Sequence, residues 1–129
     1  MTTPKYFLWD YRSIVEAGAG CRTFIPQRFV DMGCKRIGLI TDKGIVAAGL
    51  IDDMKTIFEL QAHPKIVGVY DEIEPDAVNT RINDCARWCR ELAVDGLLAV
   101  GGGSVLDSVK GVKAMLGMGI TDITEIMPG

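Results

Sequence analysis

Gly101-Gly-Gly-Ser104 is the stretch of this sequence best suited to chemistry. It follows the short apolar run Leu97–Val100 and opens a segment, reaching about Met115, whose apolar positions recur at helical spacing. Glycine lets a chain turn sharply and lets a ligand come close to the amides. A helix N-terminus adds unpaired N–H groups and a partial positive charge. Together they suit a pyrophosphate. The Ser104 hydroxyl is placed either to donate to a phosphate oxygen or to cap the helix. A tight turn capped by Ser104 would explain the same residues, although three glycines exceed what a turn needs and each costs backbone entropy.

A second candidate is Asp42, at the end of the apolar run Arg36–Thr41. A carboxylate there can accept from the 2′- and 3′-hydroxyls of an adenosine ribose and repel a 2′-phosphate. It could equally cap a helix beginning at Gly44. Asp107 falls one turn into the last helix, facing the mouth if that helix starts at Ser104, or simply complementing its dipole. Lys110 reads as a solvated side chain within reach of Asp107 at i,i+3. The common phosphate-binding templates do not apply. Glycine is missing where the dinucleotide fingerprint requires it, since Leu106 follows Gly101-x-Gly103 and Thr23 follows Gly18-Ala-Gly20. Gly44 and Gly49 have P-loop spacing, but Leu50 and Ile51 replace Lys-Ser/Thr.

These residues need strands to deliver them. Tyr6–Trp9 is a plausible first strand, and Glu16–Gly20 a flexible turn. Thr23–Met32 reads as a helix with Pro26 in its first turn and Gly33 as its stop. Arg36–Thr41, Lys65–Tyr70 and Leu97–Val100 read as buried strands. One helix carries Val46, Leu50, Met54, Ile57 and Leu60 on its apolar face. The next, capped by Asp76 after the acidic loop Asp71–Asp76 and ended by Gly96, carries Val78, Ile82, Cys85, Cys89 and Leu92. Strand–helix alternation predicts an α/β fold, a parallel sheet flanked by helices. Ligands of such sheets bind beyond the strands' carboxyl ends, at Thr41-Asp42 and Gly101–Asp107 here.

Composition narrows the partners. The 129 residues make one domain, 48% hydrophobic and 24% charged, with net charge −3. No basic stripe favours nucleic acid, and no apolar run nears the ~20 residues that span a bilayer. Met1–Asp10 lacks the features of a signal peptide, making the cytoplasm the default location. Cys21, Cys34, Cys85 and Cys89 give no disulfide framework. Cys85 and Cys89 share a helix face and could be half a metal site, but no other ligand cluster accompanies them and buried hydrophobes are the simpler reading. The single histidine, His63, reads as an exposed loop residue.

Two motifs resemble those of the iron-type, metal-dependent alcohol dehydrogenases. One is Ile40-Thr-Asp-Lys-Gly44. The other, more specific, is Asp95-Gly-Leu-Leu-Ala-Val-Gly-Gly-Gly-Ser-Val-Leu-Asp-Ser-Val-Lys110; Gly18-Ala-Gly20 and Glu74-Pro-Asp76 also fit. The resemblance covers nearly the whole chain and implies that residues 1–129 are the N-terminal part of a Rossmann-like dinucleotide-binding domain. Its architecture would be the one shared with dehydroquinate synthase. It implies NAD, rather than NADP, as cofactor, with the diphosphate on Gly102, Gly103 and Ser104 after the turn at Gly101. Asp42 would meet the ribose, and Asp107 would lie toward the nicotinamide. The family's metal site takes an aspartate and three histidines from a later helical domain, and a Thr-rich nucleotide loop would begin after Gly129; neither is in this sequence. Iron, or zinc, is thus implied for a full-length protein only, and the isolated chain should be inactive. Homo-oligomerisation is implied by the apolar surface that a truncated sheet exposes. Alternatives are a stand-alone NAD-binding or assembly fragment without catalysis, and a sister enzyme such as glycerol dehydrogenase. The alcohol or aldehyde substrate is not encoded in this segment.

Overall fold

A computed structural model describes residues 24–76 and 78–126, together with the backbone of residues 12–15. Four strands, β1 (Arg12–Val15), β2 (Arg36–Ile40), β3 (Lys65–Tyr70) and β4 (Gly96–Ala99), form one parallel sheet in the order β1-β4-β2-β3. β2 and β4 lie at its centre, in register from Ile37 opposite Gly96 to Ile40 opposite Ala99. A strand buried on both faces must be apolar throughout, and every residue of β4 is buried. The sequence-predicted strand at Tyr6–Trp9 and the turn at Glu16–Gly20 lie outside the described residues.

Alternation of side chains across the pleat divides the core in two. Ile40, Leu97 and Ala99 face helices α4 (Asn79–Glu91) and α5 (Gly103–Met118), meeting Ile82, Cys85, Cys89, Val105, Val109 and Met115. Ile37, Leu39 and Leu98 face the other side, where α1 (Ile25–Asp31) and α3 (Leu50–Phe58) supply Phe29, Ile51, Met54 and Phe58. On the α4 side, Trp88 lies so close to the sheet that a Cβ at Gly68 would stand 2.8 Å from its ring.

Several boundaries differ from the sequence reading. The second helix is two: α2 (Lys43–Ala47) ends before Gly49, whose φ of 84° breaks the run ahead of α3. That break resets the helical phase. The buried stripe is therefore Ile51, Met54 and Phe58, while Val46 is exposed and Leu60 is 82% exposed. Asp76 does not cap α4. It sits at φ 70°, and α4 begins three residues later with no side-chain cap. Val78 precedes α4 and is exposed. The stop of α4 is Ala93, at φ 53°, and Gly96 is the first residue of β4. α5 runs past Met115 to Met118 and stops at Gly119, φ 71°.

The turn from α4 into β4 is clamped to the start of β2. Asp95 accepts from the backbone N–H groups of Lys35, at 3.0 and 3.1 Å, and of Arg36, at 2.8 Å. The Arg36 guanidinium in turn donates to the Leu92 carbonyl at 2.7 Å. Among the described residues, no helix is long and apolar enough to cross a membrane.

Candidate functional site

The carboxyl ends of three strands are tied into one platform. The Thr41 N–H donates to the Tyr70 carbonyl at 2.8 Å, and the Val100 N–H to the Ile40 carbonyl at 3.1 Å. The Thr41 hydroxyl, fully buried, donates to the Val100 carbonyl at 2.7 Å. β2, β3 and β4 thus end at a common level. The loops carrying Asp42, the acidic segment after β3 and the glycine run all leave from there.

Asp42 serves as the N-cap of α2: its Oδ1 accepts from the Ile45 N–H at 2.8 Å. The cap leaves it half-buried and still lining a cleft. That cleft, of about 400 Å³, lies between Asp42 and Gly44, the segment Ile73–Pro75, and Gly102–Val105. Asp42, Gly102, Gly103 and Ser104, separated by some sixty residues of sequence, come together around it.

The three glycines have different physical reasons. A Cβ on Gly101, φ 157°, would stand 2.6 Å from Cγ2 of the fully buried Val105, so packing requires glycine there. At Gly102 and Gly103 a Cβ would meet nothing within 4 Å, and φ at Gly102 is an ordinary −89°. Neither crowding nor dihedral demands glycine at these two positions. What glycine leaves is open space over the start of α5. The first α-helical bond there runs from the Leu106 N–H to the Gly102 carbonyl at 3.1 Å. The amides of Gly103, Ser104 and Val105 precede that bond, where a helix has no carbonyl of its own to offer.

Ser104 is half-buried in the first turn of α5 and does not cap its own helix. Its Oγ accepts from the Asp76 N–H at 3.1 Å, linking the acidic loop to the glycine corner. A hydroxyl that accepts in this way keeps its proton to donate. The loop is held elsewhere too. Lys43 Nζ reaches Asp71 at 3.2 Å and Glu72 at 3.4 Å, contacts that raise the pKa of this exposed ammonium, the hydrogen bond to Asp71 contributing most. Arg81 Nε meets Glu74 Oε2 at 2.6 Å. At the base of the loop, the Tyr70 hydroxyl donates to Asp84 Oδ2 at 2.7 Å, and burial above all raises its pKa.

Asp107 is exposed on the next turn of α5, and neither it nor Gly101 lines the cleft. Cys85 and Cys89 are fully buried core residues. Their mutual hydrogen bond and then burial push the Cys85 thiol above its usual range, as for a neutral core side chain. His63 is exposed in the loop before β3. Among the described residues, no group of three or more His, Cys, Asp or Glu could hold a metal ion. Thr41 and Asp95 act here as positioning residues, a role the sequence alone did not give to either. The only sign of the first was a hydroxyl ending an apolar run. A second hollow, of about 450 Å³, runs along β3 from Lys65 to Val69 beside Phe58 and Glu59, and includes none of the residues that line the cleft. It has no glycine corner and no helix start.

Comparison with known proteins agrees with this architecture. Residues 13–128 match the family described as iron-containing alcohol dehydrogenase. The 4-hydroxybutyrate dehydrogenase of Cupriavidus necator is 40% identical over 81% of this chain and 26% of its own length. The chain spans about a quarter of the length of curated relatives such as this one. Among solved structures, the sulfoacetaldehyde reductase of Bifidobacterium kashiwanohense, determined with NAD+, superposes with a TM-score of 0.74 at 22% identity, covering 92% of this chain and 31% of that one. The NADH-dependent butanol dehydrogenase A of Thermotoga maritima gives 0.72 at 23% identity, covering 90% and 28%. At those identities the structural likeness bears on the fold alone. With a family match over nearly its entire length, the chain belongs to the iron-containing alcohol dehydrogenases, a family of oxidoreductases, and corresponds to their N-terminal part.

Proposed function

We propose that this chain is the cofactor-binding portion of an NAD-dependent, metal-dependent dehydrogenase that interconverts a small alcohol and its aldehyde. The observation that carries the reading is the corner Gly102-Gly103, where glycine is required by nothing in the fold and leaves bare amides facing a cleft. A dinucleotide's diphosphate fits that vacancy, held by the N–H groups of Gly103 and Ser104, the Ser104 hydroxyl and the positive end of α5. Asp42, on the opposite wall, would accept from the adenosine ribose hydroxyls. Gly101 shapes the turn, and Asp107 would lie outside this half of the cofactor, toward the nicotinamide. NAD, when bound, supplies the hydride acceptor or donor. This chain's residues contribute binding and orientation.

The residues present do not fit a catalytic metal. The family's ligand set, one aspartate and three histidines, cannot be drawn from a chain with one histidine exposed in a loop. In this reading the metal, the substrate pocket and substrate choice belong to the remainder of a full-length enzyme. The isolated chain then shows no metal-dependent alcohol oxidation.

The test is calorimetric titration of the chain with NAD, comparing wild type with Gly102→Leu. The Cβ of the added side chain meets no protein atom within 4 Å, and a melting temperature measured alongside checks that the fold is kept; affinity is expected to fall more than about tenfold because the ligand's space is filled. Equal affinity of the two proteins for NAD would remove the diphosphate from this corner.

A further inference from the structure

The acidic loop forms the third wall of the cleft, and its charge is arranged in a particular way. Glu74 lines the cleft beside Asp42, and its carboxylate holds the Arg81 guanidinium at 2.6 Å. Lys43, the residue next to Asp42, is likewise engaged by Asp71 and Glu72. Each of these cations is matched by a carboxylate of the loop, and Asp42 adds one more negative charge. At the glycine corner a phosphate has helix amides to compensate it. On the Asp42–Glu74 side it would meet two carboxylates and a guanidinium already neutralised.

We propose that Glu74, by holding Arg81 in an ion pair at the cleft wall, is a specificity-determining residue that works with Asp42 to exclude a ribose bearing a 2′-phosphate. The proposal rests on the reading that the cleft takes NAD, and it adds a second determinant to Asp42. Guanidinium is the side chain best matched to a phosphate, presenting paired donors in a fixed plane. With Glu74 ionised that capacity is cancelled. With Glu74 made neutral, the Arg81 guanidinium is left without that partner and the wall loses one negative charge, so it repels a 2′-phosphate less and can pair with it. Coulomb attraction between partly exposed groups is modest and shielded by salt, so the effect belongs to low ionic strength.

The experiment is calorimetry of the whole chain with NAD and with NADP, at low and at high salt. The proteins are wild type, Glu74→Gln, Glu74→Asp and Arg81→Gln. Glutamine keeps the shape of glutamate and removes its charge. The expected result is that Glu74→Gln raises NADP affinity about tenfold relative to NAD, a gain that shrinks with added salt. Arg81→Gln moves the ratio the other way, by unmasking Glu74. Glu74→Asp keeps the wild-type preference. A Glu74→Gln protein that binds NAD as wild type does, with an unchanged NAD-to-NADP ratio, overturns this inference and leaves the cofactor reading standing. A lowered melting temperature with an unchanged ratio also overturns it, reducing the pair to a structural role. If wild type binds neither dinucleotide, the cofactor reading fails and this inference falls with it.

Discussion

Replacing Gly101 by alanine should destabilise the domain through a single contact. The new methyl would sit 2.6 Å from Cγ2 and 2.9 Å from Cβ of Val105. Val105 has no exposed surface and is packed in the core shared by α4, α5 and the sheet, so it cannot swing aside. A Cβ so close to branched carbons forces either the start of α5 outward or Val105 out of its rotamer. Overpacking of this kind costs about 1–3 kcal/mol, and φ of 157° adds strain for any residue with a side chain. A total near 2–3 kcal/mol is expected, which at roughly 4 °C per kcal/mol for a domain of this size lowers the melting temperature by about 8–12 °C. The assay is urea unfolding followed by circular dichroism, with the midpoint lowered and the slope unchanged. The double variant Gly101→Ala/Val105→Ala sharpens it. If the clash is the cause, the two changes are non-additive, and part of the first loss is recovered by the second. A Gly101→Ala protein within about 0.5 kcal/mol of wild type, or strict additivity of the pair, would refute the steric reasoning.

Further outcomes follow from the platform beneath the cleft. Thr41→Val keeps the shape of the side chain but removes the buried donor to the Val100 carbonyl. It should cost about 1–3 kcal/mol in chemical unfolding, and it should weaken NAD binding by loosening the junction of β2 and β4. Tyr70→Phe should act through pH. The folded-state pKa of Tyr70 is raised above 10.0 by burial and by Asp84, so its contribution is complete below about pH 10 and is lost as pH climbs from there through the folded value. Wild type therefore loses stability above pH 10, and Tyr70→Phe shows a flatter alkaline limb in melts across that range. Parallel limbs for the two proteins would rule out Tyr70 as the titrating group.

The parallel sheet was legible because its central strands announce themselves. Ile37, Leu39, Leu97 and Leu98 are apolar without alternation, as burial on both faces demands. The glycine corner was equally visible, because Leu97–Val100 running directly into Gly101–Gly103 leaves little choice but a strand delivering a turn. Helix boundaries were less so. The apolar residues from Val46 to Leu60 keep a three-to-four spacing across Gly49, and only the backbone shows that the chain breaks there and shifts phase. Asp76 has the composition of a cap, yet its position is decided by a long-range bond to Ser104 that spacing cannot encode. The same limit hid Asp95. Its partners Lys35 and Arg36 are distant in sequence, and a carboxylate beside a glycine reads as an ordinary turn. For Asp42 the two sequence readings, cap and cleft carboxylate, are compatible, because capping leaves it lining the cleft.

That double duty has a consequence for how Asp42 meets any incoming ligand. The bond to the Ile45 N–H immobilises its rotamer when the protein folds. If a ligand's hydroxyl meets this carboxylate, as proposed, little torsional freedom of the side chain is left to surrender at the moment of association. Glutamate, with the same charge and one methylene more, would keep the electrostatics and forfeit this advance alignment.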